Sequence, residues 1–108
     1  MNELLSLNDS TFEKTVLQSA QPVLIEFGAV WCAPCKRQEP ILAELSKTWS
    51  GQCKIVKVDV DESTNLTMQF QVMSVPTMVL IVDGQEVERF TGLQNREKLF
   101  EKVEPYLS

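Results

Sequence analysis

The chain has no histidine, and its 108 residues include only three cysteines, four glycines and one tyrosine. Structural zinc sites usually take four ligands from cysteine and histidine, so a cysteine pair with one further cysteine falls short of such a site. An odd number of cysteines also suits a disulfide scaffold poorly and is ordinary for a protein of a reducing compartment.

Two kinds of segment are missing as well. No stretch approaches the roughly 20 apolar residues of a transmembrane helix. Residues 1–5 lack the positively charged start and the long apolar core of a signal peptide. The net charge is −5, with no basic cluster, which argues against nonspecific binding of nucleic acid. We therefore expect a cytoplasmic protein that binds neither nucleic acid nor a membrane.

The composition is that of an ordinary globular protein. Hydrophobic residues make up 44% of the chain and charged residues 23%, and the length is enough to bury a core without disulfides. The sequence contains no repeat, linker or low-complexity tract. We expect residues 1–108 to form a single domain.

The most informative feature is the run WCAPCK at residues 31–36, in which two residues separate Cys32 from Cys35. A strand-like stretch precedes it and a helix-like stretch, 37–49, follows. Cysteines three apart at the start of a helix lie on one face, and the helix amides favour a thiolate there. We expect Cys32, at the N-cap, to be the nucleophile and Cys35 to be the resolving thiol.

Two other interpretations of this pair stay open. It could be half of a zinc site, which the shortage of further ligands disfavours. It could also be an inert disulfide, although so short a loop gives little entropic stabilisation.

The hydrophobic pattern predicts the order β-α-β-α-β-α-β-β-α. Strands alternating with helices predict a parallel sheet with right-handed crossovers, and the Asp83-Gly84 turn adds an antiparallel hairpin at one side. The predicted strands are 3–7, 23–27, 54–60, 77–82 and 86–91. The predicted helices begin near a Ser10–Glu13 capping box, at residue 37, at Asp61 and at Asn95. Pro40 is expected to kink the second helix. Trp49, Phe70 and Phe100 are expected to lie in the core.

The chain resembles the thioredoxin family almost from end to end. The matching positions are the WCAPCK motif, Pro40, Asp59, Val75-Pro76-Thr77, Gly84 and Gly92. The sequence departs from the family pattern at three positions: Ala33 replaces glycine, Gly28 replaces tryptophan, and Glu26 replaces aspartate. The resemblance implies the thioredoxin fold, an α/β architecture with a central mixed five-stranded sheet flanked on both faces by four helices.

The resemblance also implies a function. It predicts a thiol-disulfide oxidoreductase that reduces protein disulfides by dithiol-disulfide exchange, works as a monomer without a cofactor, and receives electrons from an NADPH-dependent reductase similar to thioredoxin reductase. One alternative is a specialised reductant or oxidant with few partners, because residues between the cysteines tune the reduction potential. Another is a redox-inert or metal-sharing interaction module on the same fold.

Two further residues acquire roles through the resemblance. Glu26 is expected to exchange a proton with Cys35 through water, with Lys57 as its partner. If the strand of Glu26 is central, burial should raise the pKa of this carboxyl group; the alternative is a side chain that reaches solvent.

The surface around the cysteines is expected to bind protein substrates. Pro76 resembles the family's cis-proline, which leaves the backbone of Val75 free to pair with an extended substrate; an ordinary trans proline is the alternative. The loss of tryptophan at Gly28 should loosen the packing beneath the loop. Cys53 is expected to be a buried, inert thiol, with a regulatory or dimer-forming role as the alternative. The expected flat apolar patch consists of Val30, Trp31, Ala33, Pro34, Met73, Val75 and Gly92.

Overall fold

The computed structural model describes residues 4–107, and within them the chain forms five strands and three α-helices. The strands are β1 (Leu5–Leu7), β2 (Val23–Gly28), β3 (Lys54–Asp59), β4 (Thr77–Val82) and β5 (Gln85–Thr91). The helices are α1 (Ala33–Thr48), α2 (Thr64–Gln69) and α3 (Arg96–Val103), with a π-helical turn at Glu13–Leu17 and a 3-10 turn at Glu104–Tyr106.

The five strands form one mixed sheet in the order β1-β3-β2-β4-β5. The first three are parallel to one another, β4 runs antiparallel to β2, and β5 runs antiparallel to β4. Asp83 and Gly84 connect β4 to β5 and both have positive φ angles, as expected of a two-residue hairpin turn. The predicted topology is therefore confirmed.

Helical segments cover both faces of the sheet, also as predicted. The alternation along β2 sends Val23, Ile25 and Phe27 into one core, against the π-helical turn and α2. It sends Leu24 into the other core, against α1 and α3. Glu26, two residues after Leu24, shares that second face. The acid therefore lies beneath α1, the helix that begins at the cysteine motif.

The first helix differs from its prediction. The Ser10–Glu13 capping box does not form, because the Oδ1 atom of Asn8 accepts hydrogen bonds from the backbone N–H groups of Ser10 and Thr11. This local turn occupies the Ser10 N–H group, to which the Glu13 side chain would bond in a capping box. Glu13–Leu17 follows as a π-helical turn.

The start of α2 was also predicted wrongly. Its N-cap is Ser63 rather than Asp61, and Ser63 makes no side-chain capping bond. The N–H group of Leu66 donates instead to Oδ1 of Asp9, at 3.1 Å. Asp9 lies 57 residues away in the sequence, so no local pattern points to it.

Three other predictions have mixed outcomes. Trp49 is buried as expected, but Phe100 is 36% exposed and lies at the rim of the core, stacked on Trp49. Phe70 is half-buried against the rings of Phe12 and Phe27. Helix α1 continues through Pro40, and its kink stays a prediction. Glu3, the predicted start of the first strand, lies outside the described residues.

Candidate active site

The two cysteines lie where β2 passes into α1. Cys32 is the N-cap of α1, and its Sγ atom accepts a hydrogen bond from the backbone N–H group of Cys35, at 3.1 Å. The two residues form a disulfide, their Cα atoms are 5.3 Å apart, and both are buried. Pro34 lies in the first turn of the helix, where no N–H group is needed for the helical ladder. The predicted N-cap position of Cys32 is confirmed.

The sheet register brings three distant segments to one edge. Phe27 pairs with Thr77, and Thr77 pairs with Thr91. The loop after β2, which carries the cysteines, therefore lies beside the residues before β4 and those after β5. There the Val75–Pro76 bond is cis, as predicted.

Gly92 closes this arrangement. Its backbone has a positive φ of 86°, a conformation that glycine adopts without steric cost. Its N–H group donates to the carbonyl oxygen of Pro76, at 2.8 Å. Within residues 4–107, neither backbone polar group of Val75 has a hydrogen-bond partner.

The predicted apolar residues surround the disulfide with different degrees of exposure. Trp31 is 68% exposed, and its indole N–H group donates to Oδ2 of Asp61, at 2.8 Å. Pro76 is buried beneath the surface. We call the following set the docking surface: Val30, Trp31, Ala33 and Met73, which are exposed, and Pro34, Val75 and Gly92, which are half-buried.

Glu26 is buried, with 1% of its surface exposed. The pKa of its carboxyl group is raised to about 8, mainly by burial and also by the nearby charge of Glu39, while Lys57 opposes the shift. Lys57 is the register partner of Glu26 on β3. The Oε2 atom of Glu26 has no hydrogen-bond partner among residues 4–107. The expectation of a buried acid is confirmed, and the alternative of a side chain reaching solvent is wrong.

A cleft of about 580 Å³ opens between α1 and β3 and reaches this acid. Gly28, which has no side chain, forms part of its wall. We call it the Glu26 cleft, and its lining includes Glu26, Gly28, Lys36, Glu39, Lys57 and Asp59.

A pair of hydrogen bonds made by a buried glutamine near the site was missed by the sequence reasoning. Gln38 is fully buried; its Oε1 atom accepts from the N–H group of Gln94, at 2.8 Å, and its Nε2 atom donates to the carbonyl oxygen of Gln94, at 3.1 Å. Gln94 in turn donates to the carbonyl oxygen of Thr91. The pair ties α1 to the loop that holds Gly92. Its signal was a polar residue four positions before Leu42, on the apolar stripe of α1.

Cys53 lies apart from the site and is buried, as predicted. Burial raises the pKa of its thiol to about 12, so it carries almost no thiolate near neutral pH.

Two kinds of feature are absent from residues 4–107. Nowhere in this part of the chain do three or more histidine, cysteine or acidic side chains gather as a potential metal site. None of its helices has the length and apolar character needed to cross a membrane.

The sequence matches known proteins over almost its whole length. The thioredoxin family model matches residues 3–105. A thioredoxin of Mycobacterium tuberculosis is 36% identical over 99 residues, covering 92% of this chain and 85% of the relative. Thioredoxin 1 of Synechococcus elongatus is 35% identical over 107 residues, covering 99% of this chain and all of the relative.

A third relative is a longer protein. The bifunctional thioredoxin reductase/thioredoxin of Mycobacterium leprae is 39% identical over 95 residues, which cover 88% of this chain and 21% of that protein. The fold, the Cys32–Cys35 disulfide and these matches agree. The chain belongs to the thioredoxin family of disulfide oxidoreductases, and dithiol-disulfide exchange is its reaction.

Proposed function

We propose that this protein reduces disulfides of other proteins in the cytoplasm, with Cys32 as nucleophile and Cys35 as resolving thiol. The observation that carries the proposal is the position of Cys32 at the N-cap of α1. There its Sγ atom accepts a hydrogen bond from the backbone N–H group of Cys35. A hydrogen bond of this kind and the helix dipole both stabilise a thiolate.

In the proposed reaction, the Cys32 thiolate attacks one sulfur of a substrate disulfide and expels the other sulfur as a thiolate. Cys35 then loses its proton and attacks Cys32 Sγ, which forms the Cys32–Cys35 disulfide and releases the second substrate sulfur. Two electrons pass from the cysteine pair to the substrate. Because Cys35 lies one turn from Cys32, the second step is intramolecular and fast.

Glu26 is proposed as the proton acceptor and donor for Cys35, acting through water, with Lys57 as its charged neighbour. A pKa of about 8 lets this carboxyl group both take up and release a proton near neutral pH. This property supports the assignment.

The docking surface, together with Pro76, is proposed to bind extended segments of substrate proteins. Exposed apolar side chains beside a redox centre favour a protein substrate, and the unpaired backbone of Val75 offers hydrogen bonds to a strand.

The electron donor is proposed to be an NADPH-dependent reductase similar to thioredoxin reductase. The Mycobacterium leprae relative, whose name joins a thioredoxin reductase to a thioredoxin, supports this partnership. We propose that the protein acts as a monomer and binds neither nucleic acid nor a membrane.

The test is Cys35→Ser, with purified insulin as the disulfide substrate. This variant should form a stable mixed disulfide between Cys32 and insulin, and its turnover should fall by a factor on the order of a hundred or more, because the intramolecular second step is lost. Non-reducing mass analysis detects the adduct.

Cys32→Ser is the matched control, because it keeps Cys35 and removes the proposed nucleophile. It should form no adduct. Normal turnover by Cys35→Ser, or an adduct on Cys35 in the control, would refute the assignment of the two roles.

A further inference from the structure

Gly28, which has no side chain, lies beside both the acid Glu26 and the resolving thiol Cys35. A Cβ atom placed there would be 3.2 Å from Cys35 Sγ and 3.7 Å from Glu26 Oε2. The first distance is tighter than ordinary van der Waals contact, and the second falls within it. Both groups therefore border the space that a side chain at residue 28 would enter.

This space adjoins the Glu26 cleft, since Glu26 and Gly28 both line it. Oε2 of Glu26 is buried and has no hydrogen-bond partner among the residues described. A buried polar atom of this kind favours water next to it wherever the site is roomy enough, and a cleft of about 580 Å³ has room for several water molecules.

We infer that Gly28 is a positioning residue: the space above its Cα atom is the passage through which Glu26 and Cys35 exchange a proton, and the cleft connects this passage to solvent. The inference rests on the proposed role of Glu26 as the proton acceptor for Cys35. It adds that the glycine and the longer acid work together: because the Oε2 atom of Glu26 would lie 3.7 Å from a Cβ atom at residue 28, a side chain at that position in this chain would displace water from between the two groups.

During resolution the Cys35 thiol gives its proton, through water in the gap, to the Glu26 carboxylate. The Cys35 thiolate attacks Cys32 Sγ, the Cys32–Cys35 bond forms, and the substrate sulfur leaves with the electron pair of the broken bond. Glu26 then releases the proton along the cleft, which returns the carboxylate for the next turnover.

Other charged groups face the same cleft and set the charge around Glu26. Lys36 and Glu39 come from α1, Lys57 and Asp59 from β3, and Glu62 from the segment before α2. Among these, Glu39 favours the protonated form of Glu26 and Lys57 favours the carboxylate. The three atoms nearest to a Cβ atom at residue 28 belong to Cys35 and Glu26.

The test uses the reduced protein and an aryl disulfide, 5,5′-dithiobis(2-nitrobenzoate). Attack by Cys32 releases one thionitrobenzoate at a rate that depends on reagent concentration. Attack by Cys35 releases the second at a rate independent of it. Stopped-flow absorbance therefore separates the two steps in one experiment.

Gly28→Ala closes the gap with a methyl group and should slow the second phase about tenfold or more while leaving the first phase nearly unchanged. Gly28→Ser adds a side chain at the same place but carries a hydroxyl group that can pass a proton, so it should recover much of the lost rate. Thermal unfolding of both variants checks that each is folded.

Glu26→Gln separates the two levels of the proposal. If it slows the second phase while Gly28→Ala does not, the gap is irrelevant and only the role of Glu26 stands. If Glu26→Gln leaves the second phase unchanged, both ideas fall. Equal slowing by Gly28→Ala and Gly28→Ser would attribute the effect to displacement of Cys35 and would overturn the inference.

Discussion

At the scale of single residues, the carboxyl group of Glu26 has the most strongly altered environment in the site. It lies within an apolar strand, between Ile25 and Phe27, and all three are buried. Burial raises its pKa to about 8, and Lys57 only partly offsets the shift. Near neutral pH most folded molecules therefore hold a proton on Glu26 that the unfolded chain releases, and the remainder carry the carboxylate.

This difference predicts the stability of Glu26→Gln. The pKa of Glu26 is about 8 in the folded protein against an ordinary value of 4.5, so the folded state binds more protons. The stability that this extra proton binding contributes is fully present below the unfolded pKa and is lost as the pH rises towards 8. Glutamine cannot ionise, so the variant should be more stable by roughly 2 to 3 kcal/mol at about pH 7 and nearly unchanged at about pH 4.

Urea unfolding at the two pH values measures this effect. Glu101→Gln is a matched control, because it removes the same charge from an exposed position on α3. It should show little dependence on pH. A gain for Glu26→Gln that is no larger near pH 7 than near pH 4 would mean that the folded carboxyl group ionises normally.

The sequence predicted the buried acid but not the buried amide. A single carboxylate inside a five-residue apolar run stands out, because both faces of a central strand are covered by other elements. Gln38 gave no comparable signal, since a glutamine on a helix is usually exposed. Only the tertiary structure, which brings Gln94 against α1, explains why it is buried.

At the scale of secondary-structure elements, the strands were predicted more closely than the helix ends. The bounds predicted for β4 were those observed, and β2 differed by one residue at its end, because both strands are continuous apolar runs. Helix starts depend on single hydrogen bonds. Asn8 took the Ser10 N–H group that the Glu13 side chain was expected to bind, and the side-chain hydrogen bond at the start of α2 comes from Asp9 rather than from Asp61.

The contact from Asp9 gives a prediction for α2. Asp9→Ala removes the acceptor for the N–H group of Leu66 and should lower the free energy of unfolding by about 1 kcal/mol, as the loss of a helix cap usually does. Urea unfolding measures the change.

Asp9→Asn is the control, because its side-chain oxygen can still accept this hydrogen bond. It should retain most of the stability of the original protein. If Asp9→Ala is as stable as Asp9→Asn, the contact contributes nothing to the helix.

At the scale of the whole molecule, the sheet order assembles the site. The end of β2, the start of β4 and the end of β5 lie at one edge because Phe27, Thr77 and Thr91 share one register line. The sequence predicted this topology, since crossovers between parallel strands are almost always right-handed. It did not predict contacts such as the one from Trp31 to Asp61, because they depend on where two separate loops meet.

Phe100 illustrates the same limit. Its spacing with Leu99 and Val103 in α3 placed it on the inward side of the helix, yet it lies at the rim, beneath Arg96. Periodicity identifies the apolar face of a helix but not how far the neighbouring elements extend over it.

The central claim is that Cys32 and Cys35 form a reversible two-electron couple able to reduce protein disulfides. The most direct test is their reduction potential, obtained by equilibration with thiol buffers of defined potential, alkylation and mass analysis. The account predicts a single two-electron transition at a potential more negative than that of the glutathione couple. A markedly more positive potential would indicate an oxidant, and the absence of any reversible transition would contradict the account.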